Sequence, residues 1–188
     1  MPNTSAIPKI FQKSDGGLFD SCIMCNRSLL KPALDYLIEK AFRVIPEYKK
    51  KEVIFEYAMC FACAEQMRNE LSSESKQRTE NFFKHHIDFE KRQALLHPRR
   101  LTFPNWIKKC MVSGETIIKS KEYSLYAHAF GKKLVYDLFP YAVSGGVMEE
   151  VNDLISEKTR EILDDFIGRH FSGPPEVAEI LKRRPVLV

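Results

Sequence analysis

The stretches SCIMCNRSLL (residues 21–30) and AMCFACAE (residues 58–65) carry four cysteines in two CxxC pairs, Cys22 with Cys25 and Cys60 with Cys63. Two residues between cysteines let one tight turn aim both sulfurs at a single ion while its backbone N–H groups point at them. One such pair is a weak signal. Two pairs in a chain of 188 residues supply the four tetrahedral ligands that Zn2+ prefers, and they read as one structural Zn2+ per chain held by Cys22, Cys25, Cys60 and Cys63. Four thiolates close the coordination shell, whereas a catalytic zinc keeps a position for water.

Three other readings of the cysteines are weaker. A chain of this length has room for an ordinary core and does not need a disulfide framework. Cys60 and Cys63 follow the strand-like EVIFEYAM and open the helix-like AEQMRNEL, where a redox dithiol sits, but such a site needs no second CxxC upstream and no βαβ pattern surrounds it. An iron–sulfur cluster would use the same ligand logic.

Composition describes a soluble globular protein, expected in the cytoplasm, with no apolar run approaching the ~20 residues of a membrane span. Four zinc-bound thiolates add −4 and the ion +2, so the formal charge of +4 falls to +2. That is too little to imply nucleic acid by itself.

The chain divides into two halves with the same order of parts. The first runs from CIMCNRSLL through the alternating runs DYLIEKAFRV and KKKEVIFEYAM into a helix from Cys60 to about His86. The second runs from IKKCMVSGETII through EYSLYAHAF, the turn GKK and LVYDLFPYAV into a helix from about Ser144 to His170. CIMCNRSLL lies over CMVSGETII, EVIFEY over KLVYDL, and NFFKHHI over DFIGRHF, which reads as an internal duplication. On that alignment Cys22, Cys25, Cys60 and Cys63 match Cys110, Ser113, Ser144 and Val147. The second half keeps one thiol of four and is expected to hold its shape by apolar packing, with Cys110 a small buried hydrophobe. His128, in LYAHAF, reads as a side chain on a solvated strand face; a weaker site with Cys110 is the alternative.

A knuckle, a hairpin and a helix carrying the last two ligands resembles the treble-clef zinc-finger fold group over about residues 20–87, on CIMC, the two strand-like runs and CFAC. The resemblance implies that Cys60 and Cys63 sit at the first turn of the helix, where its dipole favours thiolate. The second half resembles the same fold without its metal. The expected class is therefore α+β, two treble-clef-like units in tandem: a tail over 1–19, a zinc-binding unit over 20–87, a linker over 88–105, a metal-free unit over 106–171 and a cap over 172–188. Such folds serve as binding modules, nucleic-acid readers and nuclease cores, so the fold does not decide function.

Ala64, Met67, Leu71, Phe82 and Phe83 form the apolar stripe of the first helix. Val147, Val151, Leu154, Ile155, Ile162, Leu163 and Phe166 make a broader stripe in the second, as burial between the halves or at a homodimer contact requires. In the linker, Lys91, Arg92, Arg99 and Arg100 are the candidate phosphate-binding patch. His85, His86 and Asp88 do not reproduce the ligand pattern of a treble-clef nuclease, and no catalytic motif such as GxSxG or HExxH occurs. Gly145 and Gly146 precede a helix and could meet an anion, or simply make the turn. The expectation is a non-enzymatic protein-interaction or adaptor module, with nucleic-acid binding through the linker as the alternative and a hydrolase or nuclease third.

Overall fold

Aromatic and β-branched residues alternate with charged ones in DYLIEKAFRV and EVIFEYAM, a pattern that suits a pleated surface. They form β2 (Asp35–Ile45) and β3 (Lys50–Cys60), an antiparallel hairpin with a bulge between Ala41 and Phe42. The computed structural model describes residues 3–48, 50–97 and 102–171. The cap expected over 172–188 lies outside them.

In the second half β4 (Glu122–Phe130) turns through Gly131 into β5 (Lys133–Tyr136). Gly131 has φ +54°, and a Cβ there would stand 2.9 Å from that of Ala33, so both backbone and space demand glycine. The run LVYDLFPYAV, expected as one strand, is two. The chain leaves the sheet over residues 137–140, where Pro140 has no N–H for a ladder and Asp137 Oδ1 accepts the Phe139 N–H at 2.8 Å. It returns to the same edge of β4 as β6 (Tyr141–Ser144). The N-terminal stretch, expected as a tail, contributes β1 (Asn3–Ala6), which pairs with β5.

The two hairpins share one sheet. β2 pairs with β4 from Asp35–Phe130 to Arg43–Glu122, which gives the order β1-β5-β4-β2-β3 with β6 in line with β5. The structure is thus α+β.

Each half was expected to carry one long helix, and each carries two. α1 (Phe61–Glu70) and α2 (Ser73–His86) follow β3; α5 (Gly145–Leu154) and α6 (Glu157–His170) follow β6. The breaks fall at Ser72 and Ser156, which are extended and whose hydroxyls accept the N–H of Ser75 and Thr159. These N-caps satisfy donors at the start of α2 and α6 and stop the first helix from running on. The caps also meet each other. Ser72 Oγ and Ser156 Oγ are 2.8 Å apart, Ser156 N–H donates to Ser75 Oγ at 2.8 Å, and Ser72 N–H donates to Thr159 Oγ1 at 3.1 Å.

Tyr57 packs against Phe166 of α6, and Tyr126 of β4 donates to Met148 of α5, so these helices lie on one face of the sheet. The opposite face is covered by the 3-10 turn Lys9–Phe11 and by α4 (Phe103–Ile107), joined where Phe11 meets Phe103 edge-on at 5.8 Å. One apolar core runs through both halves, including Leu29, Ile38, Met67, Leu125 and Val151. The expected linker contains α3 (Phe89–Ala94) and the start of α4, which runs past residue 105 into the second half. No helix among the described residues is long and apolar enough to cross a membrane.

Candidate metal centre

The first CxxC sits in a turn between short bridge partners, Ser21 and Ser28. Cys22 N–H donates to Arg27 O at 2.9 Å, and Asn26, at φ +59°, donates its N–H back to Cys22 O at 3.0 Å. Asn tolerates this left-handed conformation better than other non-glycine residues. Ile23 N–H donates to Ala58 O at 2.9 Å, which docks the turn on the end of β3. Cys60 is the last residue of β3 and the N-cap position of α1, and Cys63 lies in the first turn of that helix. The strand–helix junction therefore presents two sulfurs to the two of the docked turn.

All four Sγ atoms lie within 4.8 Å of one another, and Cys25 Sγ is 3.9 Å from Cys60 Sγ. A tetrahedron with metal–sulfur bonds of ~2.3 Å has edges of about 3.8 Å, whereas a disulfide needs about 2.05 Å. The cysteines are free thiols at metal-ligand spacing, three buried and Cys25 exposed.

Burial would push the Cys22 thiol up. Backbone N–H groups of Cys25, Cys60 and Met24 outweigh it and hold the pKa at about 7; the Cys60 N–H lies 3.4 Å from Cys22 Sγ. Cys60 and Cys63 are raised, first by burial and then by neighbouring sulfurs. One thiolate is prepared by the backbone, and collecting the other three beside it requires a cation. The donor set is soft and closed, which fits a structural thiophilic metal.

The corresponding place in the second half has the same backbone and different side chains. Cys110 N–H donates to Glu115 O, Gly114 N–H to Cys110 O, Met111 N–H to Ala142 O and Ile117 N–H to Lys108 O, as Cys22, Asn26, Ile23 and Leu29 do with their partners. Gly114, at φ +70°, stands where Asn26 does. Ser144 N–H lies 3.4 Å from Cys110 Sγ, matching Cys60 and Cys22. Cys110 is 2% exposed and accepts backbone N–H groups, so it is more than a space-filling hydrophobe. Burial would raise its pKa, but bonds from Ser113 and Ser144 outweigh that and lower it. Gly145 opens α5 against β4, where a Cβ would meet Glu122 O at 3.1 Å, so close packing accounts for it.

His128 departs from expectation. It is 9% exposed because both faces of β4 are covered, and it pairs with two carboxylates, Asp35 and Asp137, at 2.8 Å each. It has no part in a site with Cys110. Its ring lies 4.7 Å from that of Phe61, the residue after Cys60. Burial opposes its charge, but the two carboxylates outweigh burial and raise its pKa. Asp35 lies 93 residues away in sequence, which hid this cluster.

Of the linker patch, Lys91 is exposed and paired with Asp88. Arg92 turns inward, donating to the carbonyls of Trp106, Leu138 and Pro140 with its guanidinium 4.7 Å from the Trp106 ring centroid. Burial lowers its pKa to about 10. It fastens the 137–140 excursion rather than facing solvent phosphate. Arg99 and Arg100 lie outside the described residues. His85 and His86 bond the carbonyls of Asn81 and Phe82 in their own helix.

Comparisons with protein-family models, with curated proteins and with solved structures find no match for this chain.

Proposed function

We propose that the chain is a zinc-binding protein-interaction module, with one structural Zn2+ held by Cys22, Cys25, Cys60 and Cys63. The observation that carries the metal is the cage itself: four sulfurs mutually within 4.8 Å, with Cys22 served by backbone N–H donors. When bound, the ion neutralises the thiolates and pins the knuckle to the strand–helix junction; its closed shell assigns it structure rather than chemistry. Sulfurs this close together suit one ion rather than an iron–sulfur cluster, and for a closed four-thiolate shell that ion is read as Zn2+.

The same reading takes each half as a treble-clef-like unit and the two as copies of one ancestor, the second having lost its metal. The matched knuckle bonds, the two helices of 10 and 14 residues in each half and the paired Ser72 and Ser156 caps support it. An interaction role is supported by large apolar side chains left on the surface, among them Phe61, Phe89, Phe130 and Leu138.

Metal analysis of purified protein tests the metal, with about one zinc per chain and all-sulfur coordination by X-ray absorption expected. Iron, or a Cys60–Cys63 disulfide, defeats it. Chemical cross-linking of the full chain in cells tests the interaction role. Binding to DNA or RNA that falls steeply with salt and is lost on replacing Arg99 and Arg100 would replace it with a nucleic-acid function.

A further inference from the structure

The matched halves differ in how they treat one pair of stacked rings. The matched acceptors Ala58 and Ala142 shift the overlay of EVIFEY on KLVYDL by three residues, so that Phe55 and Tyr57 correspond to Phe139 and Tyr141, with ring centroids 6.2 and 5.0 Å apart. Phe171, which ends α6, stands edge-on to Phe55 and Tyr57 at 5.6 and 5.8 Å. Ile87 ends α2 in the same way: the N–H of each donates to the carbonyl four residues back, Phe83 for Ile87 and Ile167 for Phe171. Ile87 has no ring to offer. Phe139 and Tyr141 line instead an apolar cavity of about 350 Å3, walled also by Phe83, Ile87, Met111 and Leu163.

That volume lies in the range of ligand-binding pockets. Phe89 and Leu138 also line it, and they are 49% and 40% exposed, so apolar surface continues out of the cavity. Such rims mark contact with something larger than what fills the hollow. Among the lining cations, Arg68 is spent on Glu80, whereas Lys84 is exposed and has no ion-pair partner among the described residues.

We propose that this cavity receives a large aromatic side chain of a partner polypeptide, beside an acidic residue that meets Lys84. The protein displays the occupant in its other half, where Phe171 supplies a ring to the matching pair. Here the ring comes from outside, and the exposed Phe89 and Leu138 cover the segment that delivers it. An aromatic anchor in an apolar pocket with a polar rim is the usual form of an interface hot spot. The inference rests on the protein-interaction reading and names the surface and the chemistry of its partner.

The test is panning of a displayed 12-residue random peptide library on the full-length, metal-loaded protein. Wild type should enrich peptides carrying Phe, Tyr or Trp near Asp or Glu. Ile87→Phe places a ring on the cavity wall at the position matching Phe171 and should weaken the enriched peptides at least tenfold while keeping the metal. Lys84→Glu, at an exposed position, should fold normally and shift selection to aromatic residues flanked by Lys or Arg, which a merely structural lysine would not do. Equal binding to wild type and both variants, or enriched peptides without aromatic residues, overturns the proposal. It is also overturned if wild type but not Ile87→Phe dimerises in sedimentation, which makes a second copy the occupant. Saturable binding of decanoate, lost in Ile87→Phe, with no peptide enriched would make the occupant a small amphipathic acid. If panning fails while cross-linking in cells finds a partner on another face, the interaction reading stands and this site falls.

Discussion

Cys22 and Cys110 occupy equivalent turns, with matching carbonyl and N–H partners, yet one faces three sulfurs and the other faces Ser113 and Ser144. The knuckle backbone thus does not depend on the ligands for its shape. In the second half the hydrogen bonds of the turn, its docking on Ala142 and the buried Val147, Met148 and Val151 hold it. In the first half Ala64 and Met67 do part of that work, and four cysteines placed to bind a metal are there for the rest. The difference teaches that packing alone can hold this turn in one half, whereas in the other a bound metal would carry the share of stability that packing does not.

The largest break of this comparison is Cys63→Ser. Structural zinc contributes about 10–16 kcal/mol, as much as the ~5–15 kcal/mol stability of a whole domain. The variant should lose its metal and, because β2 is paired with β4, lose structure in both halves, seen as collapse of the circular-dichroism melting transition. A variant that keeps its metal and full melt contradicts the cage.

The reverse substitution sharpens it. Ser113→Cys, Ser144→Cys and Val147→Cys together, added to the native Cys110, should build a second cage on the existing backbone and raise the metal content from one to two per chain. Failure to gain metal in a folded triple variant would mean the two turns match in hydrogen bonds but not in the aim of their side chains.

Cys110→Ser is smaller. It should keep the single metal and cost about 1–3 kcal/mol for a hydroxyl in a thiol's buried place, read from urea unfolding. Loss of metal here would sink the division of labour between halves.

The smallest effect concerns His128. Its pKa is raised in the fold, so the stability it lends is complete below its unfolded value near 6.5 and disappears as pH rises through the folded value. The gap in urea midpoint between wild type and His128→Gln should be wider at pH 5.5 than at pH 8.5. A gap independent of pH would show that the cluster acts through packing alone.

The metal cage was legible because CxxC spacing is local chemistry, and the strands because alternation is local too. The helix breaks are also written in the sequence: SSES and SEKT place Ser72 and Ser156 three residues before Ser75 and Thr159, an N-cap spacing that an apolar stripe running across it masks. Pro140 likewise announced the gap between β5 and β6. What no window could reveal is pairing at a distance. The β2–β4 register joins residues about 80 to 95 positions apart, and it is what brings Asp35 to His128 and merges two expected units into one sheet. Arg92 looks like a surface cation in any local window for the same reason, since its acceptors at Leu138 and Pro140 come from the other half.

That seam has a consequence for any shorter form of the protein. Either half alone would bare a full hydrogen-bonding edge on β2 or β4, together with an unpartnered Ser72 or Ser156 cap, and exposed edges of that length recruit whatever strand fits them. A second copy of the same half that met this edge in antiparallel register would give a two-fold symmetric pair. In the intact chain covalent linkage makes that pairing intramolecular, between β2 and β4.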